Sequence, residues 1–424
     1  MADEFNNRIK VEPVKVSSLS GSSSEGTPES PSIATNATKK GKKRATLFQM
    51  IRLAYILTIF IVGCLSIVGS QVIISFLFYN DEARKQQMMQ FTKQNFVILF
   101  VHVTSVASPT ELIVTFDDSA ALKHAVRLDK QTNRFSVHLD PHAIVIANHQ
   151  IYSDWLFIWY MAYLNKCADQ IYIVMKKSLE KIPIIGYGMK NYSFVFLSRN
   201  WANDRDYMNK QFQKISQLGP KCWLLIFPEG TNMSNTTFSR SNKFADEADC
   251  KPTQYVLLPR ARGLYMSCKT LGKTTKTMYD LTIAYDGHSS GEMAQDIYSL
   301  ANIYLFGKGP KTVSIHVSAI NIHTDISEVD FSGSDAAKSL TADKEEQEIE
   351  KFSSWLTKLW HKKDTMMGQY YDTGKFSNPS GKEYRLQLRL RSRLEILNVF
   401  LIPFLAYLFG YVIYKFVRMS IAGH

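Results

Sequence analysis

The sequence predicts an α/β fold: a mostly parallel, seven-stranded sheet flanked by helices, with membrane segments before and after it. Two observations predict this fold. Short apolar runs rich in β-branched residues recur along the middle of the chain, and most are separated by segments of helix length. Two long uncharged apolar runs lie near the ends of the chain. Alternating strands and helices are typical of a parallel sheet that helices cover on both faces.

Composition narrows the class of protein. The chain has 424 residues, of which 45% are hydrophobic and 21% are charged. A mean hydropathy of −0.14 excludes a transporter that lies mostly within the membrane. Fifty Lys and Arg against 38 Asp and Glu give 50 − 38 = +12, which suits an anionic partner such as nucleic acid, a membrane face or a phosphorylated substrate. The five cysteines are scattered, so we expect neither a disulfide framework nor a zinc site.

The N-terminal part of the chain reads as a tail followed by a membrane anchor. Residues 1–46 predict a disordered segment, because 17–31 are rich in Ser, Gly, Pro and Glu, and this segment ends in the basic run 39–44. Residues 53–79 then carry no charge over 27 positions. This stretch predicts either one tilted span or two short helices folded back near Gly63 and Gly69.

The C-terminal part predicts a transmembrane helix within 396–417, because residues 396–414 form a second uncharged run of 19 residues. More Lys and Arg precede this run than follow it, which indicates that the domain before it is cytosolic. The basic run near the N-terminus indicates the same side for the tail. Both hold if the first apolar block, 53–79, is a hairpin within the anchor at 47–114, which we favour, or if 96–106 also enters the bilayer.

The middle of the chain predicts the globular part, with a domain over 115–330 and a helical extension over 331–395. The amphipathic pattern at 343–366 predicts a helix that packs against the domain. The predicted strands are 112–116, 143–147, 171–175, 194–197, 223–227, 281–285 and 312–317, and the predicted helices between them include 154–164, 202–217 and 292–305.

His149 and Asp154 are the sharpest candidates for chemistry. His149 follows a predicted strand almost at once, and Asp154 opens the next predicted helix. Residues at the C-terminal ends of parallel strands line the usual ligand crevice. A carboxylate there can bind one ring nitrogen and leave the other to act as a base. The competing interpretation is a polar loop histidine next to a helix cap.

Other strand ends carry further candidates. Glu229 and Gly230 follow the strand at 223–227, where Glu229 can bind a polyol hydroxyl and Gly230 lets a ligand approach the backbone. Arg199 ends another strand and is a natural phosphate ligand. Lys176 and Lys177 end a fourth strand and can serve the same purpose, although a solvated surface charge is the commoner outcome for any one of them.

These blocks together resemble a known family. The chain is similar to glycerolipid acyltransferases of the PlsC-type superfamily: 149–154 matches the His-x4-Asp motif, 194–199 the second block, 227–231 the third and 256–260 the fourth. The residues within these blocks are most similar to those of a eukaryotic branch that acylates lysophosphatidic acid, lysophosphatidylinositol or lysocardiolipin. The resemblance covers about residues 90–370.

The resemblance implies a mechanism and partners. His149 would deprotonate the free hydroxyl of a lysophospholipid and Asp154 would orient it. Arg199, with Lys176 or Lys177, would hold the substrate phosphate, and Glu229, Gly230 and Thr231 would position the glycerol. Acyl-CoA is the expected co-substrate, with no metal and no other cofactor. The expected partners are lysophospholipid and the bilayer rather than nucleic acid, and the expected site is the endoplasmic reticulum membrane facing the cytosol, with lipid droplets as a second location.

Two alternatives stay open. Residues 287–291 fit the G-x-S-x-G pattern of serine hydrolases, so Ser289 with Asp325 or Asp330 and His361 would form a triad acting on lipids. A Gly/Ser-rich turn is the plainer interpretation. A non-catalytic protein that binds anionic lipid through its basic surface is the second alternative.

Overall fold

The computed structural model describes residues 46–129, 134–219, 221–331, 342–377 and 381–422. Nearly all of the predicted tail, 1–46, therefore lies outside the described residues. Within the described part, the strands are β1 (Glu111–Phe116), β2 (Val126–Asp129), β3 (Arg134–Val137), β4 (His142–Ala147), β5 (Ile171–Lys176), β6 (Val195–Leu197), β7 (Cys222–Ile226), β8 (Thr277–Tyr285), β9 (Thr312–Asn321) and β10 (Tyr384–Gln387).

The α-helices of the described part alternate with these strands. They are α1 (Leu47–Leu77), α2 (Glu82–Ala107), α3 (Asp154–Leu164), α4 (Ile185–Lys190), α5 (Trp201–Gln217), α6 (Asn235–Glu247), α7 (Ala261–Leu271), α8 (Ala294–Ile297), α9 (Ala342–Thr373) and α10 (Leu401–Ala422). Of the predicted helices, 154–164, 202–217 and 343–366 are confirmed. The one at 292–305 is broken, because α8 ends at Ile297 and a separate π-helical turn, Ala301–Leu305, follows.

All seven predicted strands lie in one sheet, but within the described residues this sheet has eight strands and is mixed. Its order is β10-β1-β9-β8-β4-β7-β5-β6, and β2 and β3 form a separate hairpin. The pairs β1–β9, β8–β4, β4–β7, β7–β5 and β5–β6 are parallel. The pairs β8–β9 and β1–β10 are antiparallel. The prediction of a mostly parallel sheet is therefore confirmed for five of the seven strand pairs, whereas the predicted count of seven strands is wrong. The two antiparallel pairs arise because β9 runs back along β8 and because the chain after α9 adds β10 at the edge.

Helices cover both faces of this sheet. Side chains alternate along β4, so that Val145 packs with α2 and α3 on one face and Ile144 packs with α5, α7 and α9 on the other. The strands are therefore buried on both faces, which is why they read as continuous apolar runs rather than alternating ones. The predicted boundary between residues 114 and 115 falls inside β1, and the predicted extension supplies β10 to the same sheet.

The apolar N-terminal run forms the single helix α1, so the predicted break near Gly63 and Gly69 is wrong. Gly63 serves close packing instead: a Cβ there would lie 2.7 Å from Leu99 Cδ1 of α2. The helix is long and apolar enough to cross a membrane, and so is the C-terminal stretch Arg393–Ile421. The two helices differ in their surroundings, because α1 buries one face against the globular part whereas α10 is exposed.

Candidate active site

Four parallel strands end at one edge of the sheet and bring the candidate residues there. In spatial order these strands are β4, β7, β5 and β6. His149 follows β4, Glu229 follows β7, and Arg199 follows β6. Lys176 is the last residue of β5, and Lys177 comes next. The arrangement agrees with the rule that ligand sites of α/β sheets lie outside the C-terminal ends of the strands.

His149 and Asp154 form a hydrogen-bonded pair. The Nδ1 atom of His149 lies 2.9 Å from Oδ2 of Asp154. The side chain of Asp154 is 0% exposed, and that of His149 is 16% exposed. Since Nδ1 is engaged with the carboxylate, Nε2 is the ring nitrogen that remains for a reacting group.

Asp154 is held by several donors besides His149. Its Oδ2 accepts the backbone N–H groups of Gln150 at 2.6 Å and Ile151 at 3.1 Å, and its Oδ1 accepts the hydroxyl of Tyr285. A buried carboxylate needs such donors, because an unpaired buried charge is costly. Tyr285, which ends β8, was not among the residues predicted for the site. Its position at a strand end was a signal, but no spacing linked it to Asp154.

The loop after β7 packs directly against His149. The ring of His149 stacks on that of Phe227, with centroids 4.3 Å apart and planes at 24°. The backbone N–H of Met233 donates to the carbonyl oxygen of His149 at 2.8 Å. The first and third blocks of the resemblance are thereby brought together, and the imidazole is fixed by a hydrogen bond on its edge and a ring on its face.

Glu229 is a buried acid beside this pair. Glu229 is 5% exposed, and its Oε1 accepts a hydrogen bond from the indole N–H of Trp360 at 3.2 Å. Burial raises the pKa of Glu229 to about 8, against the lowering effect of the Trp360 hydrogen bond. Oε2 is buried and has no hydrogen-bond partner among the described residues.

Gly230 and Arg199 meet at the open side of the loop. Gly230 has a φ of +71°, which favours glycine, and a Cβ there would meet nothing within 4 Å. Its carbonyl oxygen accepts a hydrogen bond from Nη2 of Arg199 at 2.6 Å. Arg199 itself has a φ of +66°. Thr231 is partly buried next to Gly230, so these three residues line one exposed rim.

Lys176 and Lys177 lie farther from the pair. Both are exposed, and Lys176 pairs with Leu197 at the end of the edge strand β6. They are therefore near Arg199 along the sheet edge rather than near His149.

The fourth block packs under the loop of the third. The backbone N–H of Arg260 donates to the carbonyl oxygen of Pro228 at 2.8 Å, and the side chain of Arg260 lies over the ring of Phe244 at 3.9 Å. Gln150 donates to the carbonyl oxygen of Tyr255 at 3.0 Å. Hydrogen bonds therefore connect His149 to the loop of the third block, that loop to the fourth block, and the side-chain amide of Gln150 to the residue just before the fourth block.

The serine hydrolase alternative is not supported by the geometry. Ser289 follows the end of β8, whereas Asp325 follows the end of β9, which runs antiparallel to β8. The length of β8 separates them by roughly 26 Å. Asp325 binds the backbone N–H of Asn321 instead, at 2.8 Å.

Asp330 does not complete this triad either. It precedes Phe331, whose ring contacts Phe352 of α9, nine residues before His361. Nine residues of helix correspond to about 13 Å. Within the described residues, neither Asp325 nor Asp330 therefore completes a triad with Ser289 and His361.

Comparison with known proteins agrees with this geometry. The acyltransferase family profile matches residues 126–282, and the acyltransferase C-terminus profile matches residues 343–402. The chain is 33% identical over 393 residues to 2-acyl-1-lysophosphatidylinositol acyltransferase of Saccharomyces cerevisiae, covering 85% of this chain and 94% of that one. It is 28% identical over 242 residues to lysocardiolipin acyltransferase 1 of Gallus gallus, covering 57% of each chain.

A plant relative gives a similar result. The chain is 28% identical over 262 residues to probable 1-acyl-sn-glycerol-3-phosphate acyltransferase 5 of Arabidopsis thaliana, covering 62% of each chain. The resemblance drawn from the four blocks is confirmed by these relatives. The chain belongs to the PlsC-type glycerolipid acyltransferase superfamily and is an acyltransferase.

Proposed function

We propose that this acyltransferase moves a fatty acyl chain from acyl-CoA to the free hydroxyl of a lysophospholipid. The observation that carries the proposal is the pair of His149 and Asp154, 2.9 Å apart, against the loop of Phe227 and Glu229. The names of the relatives include acyltransferases for lysophosphatidylinositol and for 1-acyl-sn-glycerol-3-phosphate, and we propose one of these two acceptors. A non-catalytic lipid-binding role does not suit a member of this enzyme family.

The proposed reaction needs one base and no activated cofactor. Nε2 of His149 takes the proton of the acceptor hydroxyl, and the oxygen attacks the thioester carbon of acyl-CoA. The tetrahedral intermediate collapses with loss of the CoA thiolate, which receives the proton from the imidazolium. Asp154 stabilises that imidazolium through Nδ1. A hydroxyl is a poor nucleophile without such a base, whereas the thioester is already reactive.

The proposed substrate contacts follow from position along the sheet edge. Gly230 and Thr231 form the exposed rim of the loop that carries Glu229, and we assign these three to the glycerol. Arg199 already holds the carbonyl oxygen of Gly230, so a phosphate bound by its guanidinium would lie beside the same loop. Lys176 and Lys177 extend the positive charge outward from Arg199.

We further propose that α10 crosses the membrane and that α1 lies along its surface. One face of α1 is buried by the globular part from Ile56 to Ile74. The guanidinium of Arg52 lies against Gly307, and Gln71 donates to the carbonyl oxygen of Gly188 at 3.3 Å. These two contacts are 19 residues apart, or about 28 Å of helix, which equals roughly the whole hydrocarbon thickness. A crossing α1 would carry the globular part into the bilayer with it.

This arrangement gives the tail and the catalytic part the same side of the membrane, as the distribution of Lys and Arg requires. We propose the cytosolic face of the endoplasmic reticulum, with lipid droplets as a second location. The proposed organisation is an anchor at 47–114, the acyltransferase domain at 115–330, the extension at 331–395 and a transmembrane helix at 396–417. Protease protection of epitopes placed at the N-terminus and in the 287–291 loop tests the topology. Opposite sides for the two epitopes would exclude it.

The proposed reaction is tested by thiol release from acyl-CoA in microsomes with a panel of lysolipid headgroups. Wild-type protein should release CoA only with its proper acceptor, and His149→Ala should lower the rate about 10²- to 10⁴-fold. Microsomes without the protein give the background rate. An unchanged rate in His149→Ala would rule out the proposed base, and a wild-type rate that no lysolipid increases would rule out the acceptor class.

A further inference from the structure

The C-terminal helix α9 lies across the candidate active site. Three side chains on one face reach three different parts of the site, at spacings of four and three residues. The indole N–H of Trp360 donates to Glu229 at 3.2 Å, and Asp364 accepts the backbone N–H of Gln254 at 3.0 Å. The Sδ atom of Met367 accepts the side-chain amide of Asn148, next to His149, at 4.0 Å. Residues three and four apart share one helix face, so one surface of α9 makes all three contacts.

Lys363 attaches this part of α9 to the sheet. Its ammonium group is 1% exposed and lies 2.6 Å from Oδ1 of Asp280 on β8. It also donates to the carbonyl oxygen of Leu281 at 2.8 Å and to the hydroxyl of Thr282 at 3.0 Å. A buried ammonium held by three acceptors restrains the turn of helix that carries Trp360, one turn earlier. The position of the Trp360 indole is thus restrained both by the attachment of α9 to the sheet and by the burial of the indole itself.

Glu229 is the point at which α9 touches the proposed substrate machinery. Its Oε1 is occupied by Trp360, while Oε2 is a buried acceptor without a partner among the described residues. Leaving a buried acceptor unmet is costly, so a donor from a bound ligand would be strongly favoured there. A lysophospholipid supplies such donors in its hydroxyl groups.

We propose that Trp360 is a positioning residue for the acyl acceptor: its indole N–H holds one oxygen of Glu229, so that the other accepts a hydroxyl of the lysophospholipid. This inference rests on the proposed function and extends it to the C-terminal helix. Trp360 is itself 0% exposed and does not reach the substrate. Its effect passes through Glu229, which predicts that the two side chains act as one unit.

The test compares Trp360→Phe with Trp355→Phe, a matched control on the same helix whose ring packs against Phe352. The phenylalanine at 360 keeps an aromatic ring and removes the N–H. With oleoyl-CoA and lysophosphatidylinositol as substrates, KM for the lysolipid should rise about tenfold in Trp360→Phe, with KM for oleoyl-CoA unchanged. Trp355→Phe should retain wild-type values. Equal changes of both KM values, or none, would overturn the proposal.

A double variant separates positioning from loss of packing. Glu229→Gln should raise KM for the lysolipid, and adding Trp360→Phe to it should raise KM no further, because residues acting as one unit are not additive. An independent additional loss in the double variant would show that Trp360 acts by packing. Unfolding temperatures of all variants in detergent verify that each is folded.

The pH dependence of KM for the lysolipid distinguishes positioning from packing, because a loss of packing alone would not change the pKa of Glu229. Glu229 is faced by the backbone of His149 in the loop after β4, by Asp154 at the start of α3 and by Lys363 from α9, and these stay unchanged in Trp360→Phe. Because the indole N–H favours the carboxylate form, its removal should shift the pH dependence of KM to higher pH. Lysophosphatidylinositol suits this test because its phosphodiester does not titrate near neutral pH. A profile that coincides with wild type would contradict the proposal.

The outcomes distinguish this proposal from the function on which it rests. If His149→Ala abolishes the reaction and Trp360→Phe is indistinguishable from wild type, only the positioning role is wrong. If wild-type protein fails to consume oleoyl-CoA with any lysolipid, the proposed function is wrong and the role of Trp360 falls with it.

Discussion

Tyr285 donates its phenolic hydrogen to Asp154 although 131 residues separate the two in the chain. The contact forms because β8 lies next to β4 and both strands end at the same edge of the sheet. Tyr285 is 1% exposed and Asp154 is 0% exposed, so neither group can exchange its partner for water. The orientation of the His149 imidazole therefore depends on a strand far along the chain from the His-x4-Asp motif.

Replacing Tyr285 by Phe should slow the reaction with little effect on substrate binding. Loss of a hydrogen bond to a carboxylate costs about 1.5–3 kcal/mol, which corresponds to about a ten- to hundredfold lower kcat if the bond matters fully in the transition state. Steady-state kinetics measure the change. Tyr279→Phe, at the opposite end of β8 where the hydroxyl accepts the N–H of Asp140, is the control. A wild-type kcat for Tyr285→Phe would show that Asp154 needs no help.

Replacing Ser289 by Ala should leave acyl transfer unchanged. Ser289 lies in an exposed turn in which its N–H donates to Glu292 at 2.8 Å, and its proposed acid is at the far end of β8. Rates of CoA release and of lipid hydrolysis, measured on the same microsomes, test this expectation. Loss of either rate in Ser289→Ala would revive the hydrolase alternative.

Glu229→Gln should stabilise the fold more at alkaline than at acidic pH. The pKa of Glu229 is raised to about 8 from its ordinary 4.5, so between these values the folded state keeps a proton that the unfolded state has lost. Stability from this group is fully present below pH 4.5 and falls by about 1.4 kcal/mol per pH unit as the pH rises toward 8. Glutamine removes this loss.

Thermal unfolding in detergent at pH 5 and pH 8.5 measures the effect of Glu229→Gln. The variant should gain unfolding temperature relative to wild type at pH 8.5 and gain little at pH 5. The same gain at both pH values would indicate that Glu229 is not a buried titrating group.

Lys363→Met should destabilise the protein strongly. The ammonium pairs with Asp280 at 2.6 Å, and both side chains are nearly buried. Removing one member of a buried pair leaves an unpaired charge and costs about 3–5 kcal/mol. Unfolding temperature in detergent is the measurement. The double variant Lys363→Met with Asp280→Leu should recover part of the loss, since it leaves no unpaired charge, and failure to recover would indicate that packing dominates.

The strand positions could be predicted from the sequence because each inner strand is buried on both faces and appears as an uninterrupted apolar run. Direction and neighbours could not, since periodicity does not encode whether β9 runs with or against β8. β10 was missed because Tyr384–Gln387 is short, contains Arg385 and lies at an edge, where one face remains accessible.

In the candidate site, too, some residues could be predicted from the sequence and others could not. His149, Glu229 and Arg199 could be found because each follows a strand in a short motif. Tyr285 and Trp360 could not, since their partners lie about 130 residues away and depend on how the chain returns to the site. The break expected near Gly63 failed for a related reason: a glycine in a helix can serve the neighbouring helix rather than a bend.

The pairing of β10 with β1 has a consequence for anyone preparing a detergent-free fragment. The chain leaves α9, adds β10 to the outer edge of the sheet and then runs through Arg393–Phe400 into α10. Cutting before β10 would uncover the backbone of β1 and invite strand-to-strand association between molecules. A truncation placed just after Phe400 would instead remove the apolar helix α10 and keep the outer edge of β1 paired with β10.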